Sequence, residues 1–167
     1  MPTPDLVVHT LERMGQTVAT CESLTGGLIC GALTSVPGSS EVVRGGLITY
    51  ATDLKTRLAG VDASLIAAHG VVSSEVARAM AEGARRTCDA DWGIAVTGVA
   101  GPGPSDGVPA GTVWLAVIGP GSQSVIELHL DGDRTNVRAE TVANAMAALY
   151  DVLTGENESQ TGAHTVN

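Results

Sequence analysis

Thr20-Cys21-Glu22-Ser23-Leu24-Thr25-Gly26-Gly27 joins a short run of β-forming residues, 17–20, to a stretch of small apolar residues, 28–33. The first run predicts a strand, and the second predicts a largely buried helix. A strand, a turn and a helix in this order form the repeating unit of α/β folds. The stretch therefore predicts an α/β fold, and it places Ser23, a potential nucleophile, between the strand and the helix.

Helical and strand-like patterns alternate on both sides of this stretch. Apolar residues either recur at helical spacing or form β-rich runs bounded by Gly and Pro. The predicted helices cover residues 4–14, 28–33, 53–58, 74–86 and 137–153, and the predicted strands cover 17–20, 46–50, 91–97, 112–118 and 125–130. We predict one three-layer α/β/α domain over residues 1–154, with a mixed sheet of about five strands. Residues 155–167 are polar without an apolar period, which predicts a disordered tail.

The composition excludes several classes of partner. The chain has 9 Lys and Arg against 18 Asp and Glu, and this formal net charge of −9 argues against nucleic-acid binding. No apolar run reaches the length that crosses a membrane. The three cysteines show no CxxC spacing, and from the pattern of residues we expect no signal peptide. We therefore expect reduced thiols and a cytoplasmic location.

Three hydroxyl side chains are expected at one edge of the predicted sheet. Ser23 follows the first predicted strand, Tyr50 ends the second, and Thr97 ends the third. Ligands of open α/β sheets bind outside the carboxyl ends of the strands. Residues 98–111, rich in Gly and Pro, leave the same edge and are long enough to form a functional loop. This edge is therefore the predicted functional site.

A serine hydroxyl needs a neighbouring base before it can attack an amide or an ester. Lys55 is the only lysine in the chain and lies five residues after Tyr50. A partly buried lysine can act as a base near neutral pH, because burial lowers its pKa. His69 and His129 are alternative bases, although neither belongs to a recognisable triad pattern. The residues alone leave both a Ser–Lys site and a Ser–His site open.

Several motifs follow one another along the chain. They are Cys-Glu-Ser23-Leu-Thr-Gly-Gly, Pro-Gly-Ser-Ser at 37–40, Gly-Gly-Leu-Ile-Thr-Tyr50-Ala-Thr-Asp-Leu-Lys55, His69-Gly-Val-Val-Ser, Thr97-Gly-Val-Ala-Gly-Pro, Gly111-Thr-Val-Trp and Gly132-Asp133-Arg134. In this order, from about residue 5 to residue 153, they resemble the CinA C-terminal domain family, which includes the PncC-type nicotinamide-nucleotide amidases. Two places depart from the family pattern: Leu24, where many members carry a small residue or Cys, and residues 103–108, which are less rich in glycine.

The resemblance implies an enzyme that converts nicotinamide mononucleotide and water to nicotinic acid mononucleotide and ammonia, without a metal or another cofactor. It implies that Ser23 is the nucleophile, Lys55 the base, and Tyr50 a hydroxyl that bridges or orients the pair. The implied substrate-binding residues are Thr25, Gly26, Gly27, Thr97, Gly98, Ala100, Gly101 and Arg134. The resemblance also implies a homo-oligomer.

Several assignments stay open at this point. Arg134 is expected near the nucleotide phosphate, and Arg138, one helical turn later, is the alternative. The backbone amides of residues 24–27 are expected at a helix N-terminus, where they would stabilise an oxyanion. Glu22 is expected either to orient Lys55 or to cap the following helix. The alternatives to the amidase are a catalytically weak nucleotide-binding or interaction module and a hydrolase of another small amide.

Overall fold

A mixed sheet forms the middle layer of the computed structural model, which describes residues 1–156. Its five strands in this part of the chain are β1 (Val18–Glu22), β2 (Val43–Ile48), β3 (Trp92–Gly98), β4 (Thr112–Gly119) and β5 (Ser122–His129). They lie in the order β2-β1-β3-β4-β5. β1 is parallel to both of its neighbours, whereas β4 is antiparallel to β3 and β5. The predicted mixed sheet of about five strands is confirmed.

Helices lie on both sides of this sheet. The α-helices within residues 1–156 are α1 (Pro4–Met14), α2 (Leu28–Thr34), α3 (Thr52–Ala59), α4 (Ala63–His69), α5 (Ser74–Cys88) and α6 (Arg134–Thr154). A short 3-10 helix, Ser39–Glu41, precedes β2. Helices α1, α2 and α6 pack on one face of the sheet, and α3, α4 and α5 lie on the other. This arrangement confirms the predicted α/β/α domain architecture.

The central strand β1 is buried along its whole length, as a parallel strand covered on both faces must be. Its alternate residues face the two helical layers. Val18 belongs to the apolar cluster that contains Leu11 of α1 and Leu149 of α6, whereas Ala19 belongs to the cluster around Met80 of α5. Packing on both faces therefore fixes the position of β1, and with it the residue that follows β1.

Strand β2 begins three residues before the predicted run of 46–50 and ends two residues before its end. Its first residue pairs with Val18, and the parallel pairing with β1 continues to the last residue of both strands. Gly46 pairs with Thr20 in this strand and lies so close to the Thr20 side chain that a Cβ atom at this position would clash. Pairing with a central strand thus outweighs the weak local preference of glycine for strands.

Helix α4 is absent from the sequence prediction. Asp62 caps it by accepting a hydrogen bond from the Ser64 backbone N–H at 2.8 Å, yet none of its residues is buried. Only Leu65 and Ile66 of this helix pack, partly buried, against the core, so the helix leaves no strong apolar period to detect. Helix α6 begins three residues earlier than predicted, because Asp133 caps it through the Asn136 N–H at 2.9 Å.

The C-terminal part of the domain follows the predicted order. β4 and β5 form the predicted antiparallel hairpin, and β5 begins three residues earlier than predicted. α6 then ends at Thr154, followed by Gly155 in a left-handed conformation with φ of 75°. Residues 157–167, most of the predicted tail, lie outside the described residues. None of the helices among residues 1–156 combines the length and the apolar composition that a membrane span requires.

Candidate active site

The candidate active site lies at the carboxyl edge of the three parallel strands. Because β1 lies between β2 and β3, the ends of these strands meet at one edge. Ser23 follows β1, and its backbone N–H donates to the Val96 carbonyl of β3 at 3.1 Å. Thr49 follows β2, and its N–H donates to the Glu22 carbonyl of β1 at 2.9 Å. Sheet hydrogen bonding therefore sets the positions of both residues.

The side chains of Ser23 and Lys55 form a hydrogen-bonded pair at this edge. Lys55 Nζ lies 3.0 Å from Ser23 Oγ, and it also donates to the Thr49 carbonyl oxygen at 2.6 Å. Lys55 belongs to α3 and is only 1% exposed. No carboxylate within residues 1–156 forms an ion pair with it. The structure thus places a buried amine directly against the serine hydroxyl.

Burial is the main reason why the pKa of Lys55 lies below its ordinary value of 10.5. A thiolate at Cys21 would act in the opposite direction. However, burial raises the pKa of Cys21 to about 11, although its hydrogen bond with Thr49 and the Lys55 charge oppose that rise. Cys21 is therefore a neutral thiol near pH 7 and offers no counter-charge. Burial therefore shifts the equilibrium of Lys55 towards the neutral amine, the form that can accept a proton.

A turn of four residues, 24–27, separates Ser23 from α2. The Gly26 N–H donates to the Ser23 carbonyl at 3.1 Å and closes this turn. The backbone N–H groups of Leu24 and Thr25 have no protein acceptor within the described residues. Free amides were expected here at the N-terminus of a helix; the structure places them instead in the turn before that helix.

Glu22, the last residue of β1, caps α2 with a fully buried carboxylate. Its oxygens accept hydrogen bonds from the backbone N–H groups of Ile29 and Cys30 at 2.8 and 3.0 Å. They also accept from the hydroxyls of Thr20 and Thr25 at 3.1 and 2.7 Å. Of the two roles expected for Glu22, the structure shows the helix cap. The same bonds direct the Thr25 hydroxyl towards Glu22.

A cavity of about 570 Å³ opens beside Ser23 and Lys55, a volume typical of small-molecule sites. Most of the predicted catalytic and substrate-binding residues line this cavity, namely Ser23, Tyr50, Lys55, Thr97, Gly98, Ala100, Gly101 and Arg134. Three predicted substrate-binding residues do not line it, namely Thr25, Gly26 and Gly27. Thr25 is fully buried, and the two glycines have left-handed backbones that form the turn. The loop between β3 and β4 supplies much of the cavity wall.

Tyr50 lies at the rim of this cavity and is 62% exposed. Its hydroxyl accepts a hydrogen bond from Arg134 Nη2 at 3.2 Å. Arg134 Nη1 also donates to the Gly101 carbonyl at 2.8 Å, so this arginine joins the end of β2 to the cavity loop. Within residues 1–156, Tyr50 hydrogen-bonds to neither Ser23 nor Lys55. The structure therefore groups Tyr50 with Arg134.

Arg138 lies away from the cavity, whereas Arg134 lines it. Arg138 Nε donates to the Leu24 carbonyl at 3.0 Å, and its Nη2 donates to the Thr25 carbonyl at 3.3 Å. Of the two arginines considered for a substrate phosphate, Arg134 is therefore the one at the cavity. Arg138 contacts the turn that follows the nucleophile.

The histidines considered as bases do not hydrogen-bond to Ser23 in the described part of the chain. His69 lines the cavity, and its Nδ1 lies 3.6 Å from Glu75 Oε1. His129 is on β5, and its Nε2 lies 3.6 Å from Glu127 Oε1. The serine partner seen in the structure is the lysine. No group of three or more His, Cys, Asp or Glu side chains among residues 1–156 is arranged to hold a metal ion.

Sequence reasoning missed two groups at this site. Thr49 contacts Lys55 through a backbone carbonyl, so its side-chain type carries no signal. Val71 belongs to the connection between α4 and α5, and its carbonyl accepts from the Thr97 hydroxyl at 2.9 Å. The only signal for this connection was the motif that begins at His69. The Thr97 hydroxyl, expected to face substrate, is thus engaged with the protein.

Comparisons with known proteins identify the family of this chain. The model of the CinA C-terminal domain matches residues 2–153. A CinA-like protein of Anaeromyxobacter sp. (strain K) is 48% identical over 147 residues, which cover 87% of this chain and 36% of that relative. A CinA-like protein of Frankia casuarinae is 42% identical over 155 residues, which cover 93% of this chain and 36% of that relative. The chain therefore spans about a third of the length of these curated relatives.

Solved structures give the same result for the fold. A competence-damaged protein (CinA) superfamily protein from Klebsiella pneumoniae superposes with a TM-score of 0.87 at 34% identity, covering 91% of this chain and 96% of that chain. A competence/damage inducible protein from Agrobacterium tumefaciens superposes with a TM-score of 0.81 at 38% identity, covering 90% of this chain and 92% of that chain. The motifs, the fold and these matches together show that the chain belongs to the CinA C-terminal domain family.

Proposed function

We propose that this chain hydrolyses the carboxamide of nicotinamide mononucleotide to nicotinic acid mononucleotide and ammonia. The observation that carries the proposal is the buried pair in which Lys55 Nζ lies 3.0 Å from Ser23 Oγ. No carboxylate of the described residues pairs with this amine to keep it charged. A serine hydroxyl beside an amine that can take its proton is the activated nucleophile that amide hydrolysis requires. Family membership supports the choice of substrate, because the family includes the PncC-type amidases.

In the first half-reaction, the neutral Lys55 amine takes the hydroxyl proton as Ser23 Oγ bonds to the carboxamide carbon. Negative charge then forms on the carboxamide oxygen, and the free amide of Leu24, which lines the cavity, is the donor that the adjoining turn offers. The Lys55 ammonium next gives its proton to the leaving nitrogen. The carbon–nitrogen bond breaks, ammonia departs, and an acyl ester remains on Ser23.

In the second half-reaction, water attacks this ester while the neutral Lys55 amine takes one of the water protons. The carbon–oxygen bond to Ser23 then breaks, and Lys55 returns the proton to Ser23 Oγ. The acid is released, and both side chains regain their starting protonation states. One water is consumed for each ammonia formed, and no base other than Lys55 is needed.

Residues at the cavity rim fit the nucleotide part of this substrate. The exposed Arg134 guanidinium suits a phosphate, which it can bind through two parallel hydrogen bonds. The amides of Ala100, Gly101 and Gly103 have no protein acceptor among residues 1–156, so they are available to ligand oxygens. In this proposal Tyr50 acts with Arg134 on the substrate. The Thr49 carbonyl, rather than Tyr50, orients the Lys55 amine.

Two alternatives use the same cavity differently. A nucleotide-binding or interaction module would bind the nucleotide without cleaving it, and a hydrolase of another small amide would use the same Ser23–Lys55 pair on a different substrate. A cytoplasmic location and a homo-oligomer, both expected from the sequence, are part of the proposal for the whole protein. The specific observation that favours hydrolysis over binding alone is the buried Lys55 amine, which lies 3.0 Å from Ser23 Oγ and has a lowered pKa.

The test is to incubate the purified protein with nicotinamide mononucleotide and to measure ammonia and nicotinic acid mononucleotide. We expect equal amounts of both products, and loss of both in Ser23→Ala and Lys55→Met. The matched control is Arg57→Gln, an exposed cation of the same helix as Lys55, which we expect to retain the full rate. Binding without product would favour the module. Ammonia from other small amides, but none from this nucleotide, would favour the other hydrolase.

A further inference from the structure

Arg138 of α6 holds the two carbonyls that come directly after that of Ser23. Its Nε donates to the Leu24 carbonyl at 3.0 Å, and its Nη2 donates to the Thr25 carbonyl at 3.3 Å. Its guanidinium lies over Gly26, 3.6 Å from the place that a Cβ atom would occupy there. No carboxylate within residues 1–156 forms an ion pair with it. The positive charge is therefore directed at the turn without a neutralising partner in this part of the chain.

Each carbonyl that Arg138 holds also fixes the N–H of the same peptide group, because the two point in opposite directions in a trans peptide. The bond to the Leu24 carbonyl thus fixes the direction of the Thr25 N–H. The bond to the Thr25 carbonyl fixes the Gly26 N–H, which donates to the Ser23 carbonyl at 3.1 Å. That carbonyl shares its peptide group with the Leu24 N–H. The Thr25–Gly26 and Ser23–Leu24 peptide groups, joined by this hydrogen bond, therefore connect the guanidinium to the Leu24 N–H.

We infer that Arg138 is a positioning residue that fixes and polarises the Leu24 amide as a donor to the oxyanion. Hydrogen bonds in a chain polarise one another, and a charged donor at one end strengthens the donor at the other. Arg138 does not line the cavity, so it acts through the turn and not on the substrate. The inference rests on the proposed serine attack on a carbonyl, but it does not depend on which amide is cleaved.

The test compares Arg138→Gln and Arg138→Lys with the wild type in two reactions. One is hydrolysis of nicotinamide mononucleotide. The other is phosphonylation of Ser23 by a fluorophosphonate, in which Ser23 Oγ displaces fluoride while the phosphoryl oxygen takes the place of the oxyanion. We expect Arg138→Gln to lower both kcat and the labelling rate about ten- to a hundred-fold, somewhat less than the loss of a whole oxyanion donor. KM and the acid limb of the pH profile are expected to stay unchanged, because Lys55 is untouched.

Arg138→Lys separates positioning from charge alone. A lysine keeps the charge but cannot hold two carbonyls with one planar group, so we expect its rates to lie between those of the wild type and Arg138→Gln. Arg57→Gln, the matched loss of an exposed arginine, is expected to label at the wild-type rate. Circular dichroism checks that each variant is folded. If Arg138→Gln does not fold, wild-type labelling of folded Arg138→Lys overturns the inference.

The two reactions distinguish failure of this inference from failure of the proposed function. Wild-type kcat and labelling in folded Arg138→Gln would overturn the role of Arg138 while leaving the amidase proposal in place. If the wild type does not hydrolyse the nucleotide but Arg138→Gln is labelled more slowly than the wild type, the role of Arg138 would be supported and the proposed substrate would be wrong. No labelling of Ser23 in the wild type would overturn both.

Discussion

A fully buried lysine without a carboxylate partner is rare, and Lys55 is such a residue within the described chain. Its two hydrogen-bond partners, Ser23 Oγ and the Thr49 carbonyl, are both uncharged. Neither compensates for the water that an ammonium loses on burial, so the ammonium is disfavoured more than the amine. The burial that suits Lys55 to act as a base therefore opposes folding whenever the unfolded lysine is protonated.

This conflict predicts a pH-dependent difference in stability between the wild type and Lys55→Met. The pKa of Lys55 is lowered in the folded state from 10.5, so below pH 10.5 and above the folded pKa the unfolded chain binds one more proton. Wild-type stability should therefore rise with pH across this window, by up to about 1.4 kcal/mol per pH unit relative to the variant. Urea unfolding of both proteins between pH 7 and pH 10 measures the difference between their unfolding free energies. The contributions of titrating groups that both proteins share cancel in this difference. A difference that stays constant or falls with pH would contradict a lowered pKa.

At the scale of elements, the turn after Ser23 is held from two directions. The Glu22 carboxylate at the end of β1 binds the first amides of α2 and the Thr25 hydroxyl. Arg138 of α6 binds the carbonyls of the same turn. A strand, a short helix and a long helix thus determine the backbone geometry beside the nucleophile. Their packing in one apolar core makes that geometry depend on the stability of the whole layer.

The Glu22 cap can be tested with Glu22→Gln. Glutamine keeps one acceptor oxygen, but its amide group would oppose the N–H and hydroxyl donors that now surround the carboxylate. We expect a loss of about 2 kcal/mol in unfolding free energy, the magnitude of a charge-assisted hydrogen bond, together with a lower kcat. Urea unfolding and the hydrolysis assay measure the two effects. Glu140→Gln, an exposed change on α6, is the control. Equal stability of the two variants would mean that the cap contributes little.

The sequence predicted the elements that carry strong local patterns. Ser23 and Thr97 could be placed at one edge because a short β-forming run precedes Ser23 and a nearly continuous apolar run ends at Thr97, and Lys55 stood out as the only lysine. The limits of β2 depend on its pairing with β1, which no local pattern encodes. The contacts of the Thr49 carbonyl and of Arg138 join residues far apart in the chain through backbone atoms, so side-chain types could not predict them.

At the scale of the whole molecule, the cavity draws residues from connections on both sides of the sheet. Ser23 follows β1, Lys55 belongs to α3, the loop between β3 and β4 forms a wall, and Arg134 begins α6. A ligand that contacts all of these would link one helical layer to the other. Binding is therefore expected to oppose global unfolding and not only the local opening of a loop.

This coupling predicts that nicotinamide mononucleotide stabilises the inactive Ser23→Ala variant against urea. At a ligand concentration one hundred times Kd, the unfolding free energy should increase by about 2.7 kcal/mol, since only the folded chain has the cavity. Nicotinamide at the same concentration, which lacks the phosphate that Arg134 would bind, is expected to give a smaller increase. An unchanged urea midpoint with the nucleotide would contradict binding in this cavity.

The chain's only lysine is also the proposed base, and this has a practical consequence for labelling. Reductive methylation with isotope-enriched formaldehyde modifies lysine side chains, and here Lys55 is the single side-chain target. Because Lys55 lines the cavity, a small reagent can approach Nζ from that side. The methyl carbons on Nζ would then report the protonation state of the amine in an NMR titration, with no other lysine contributing to the spectrum.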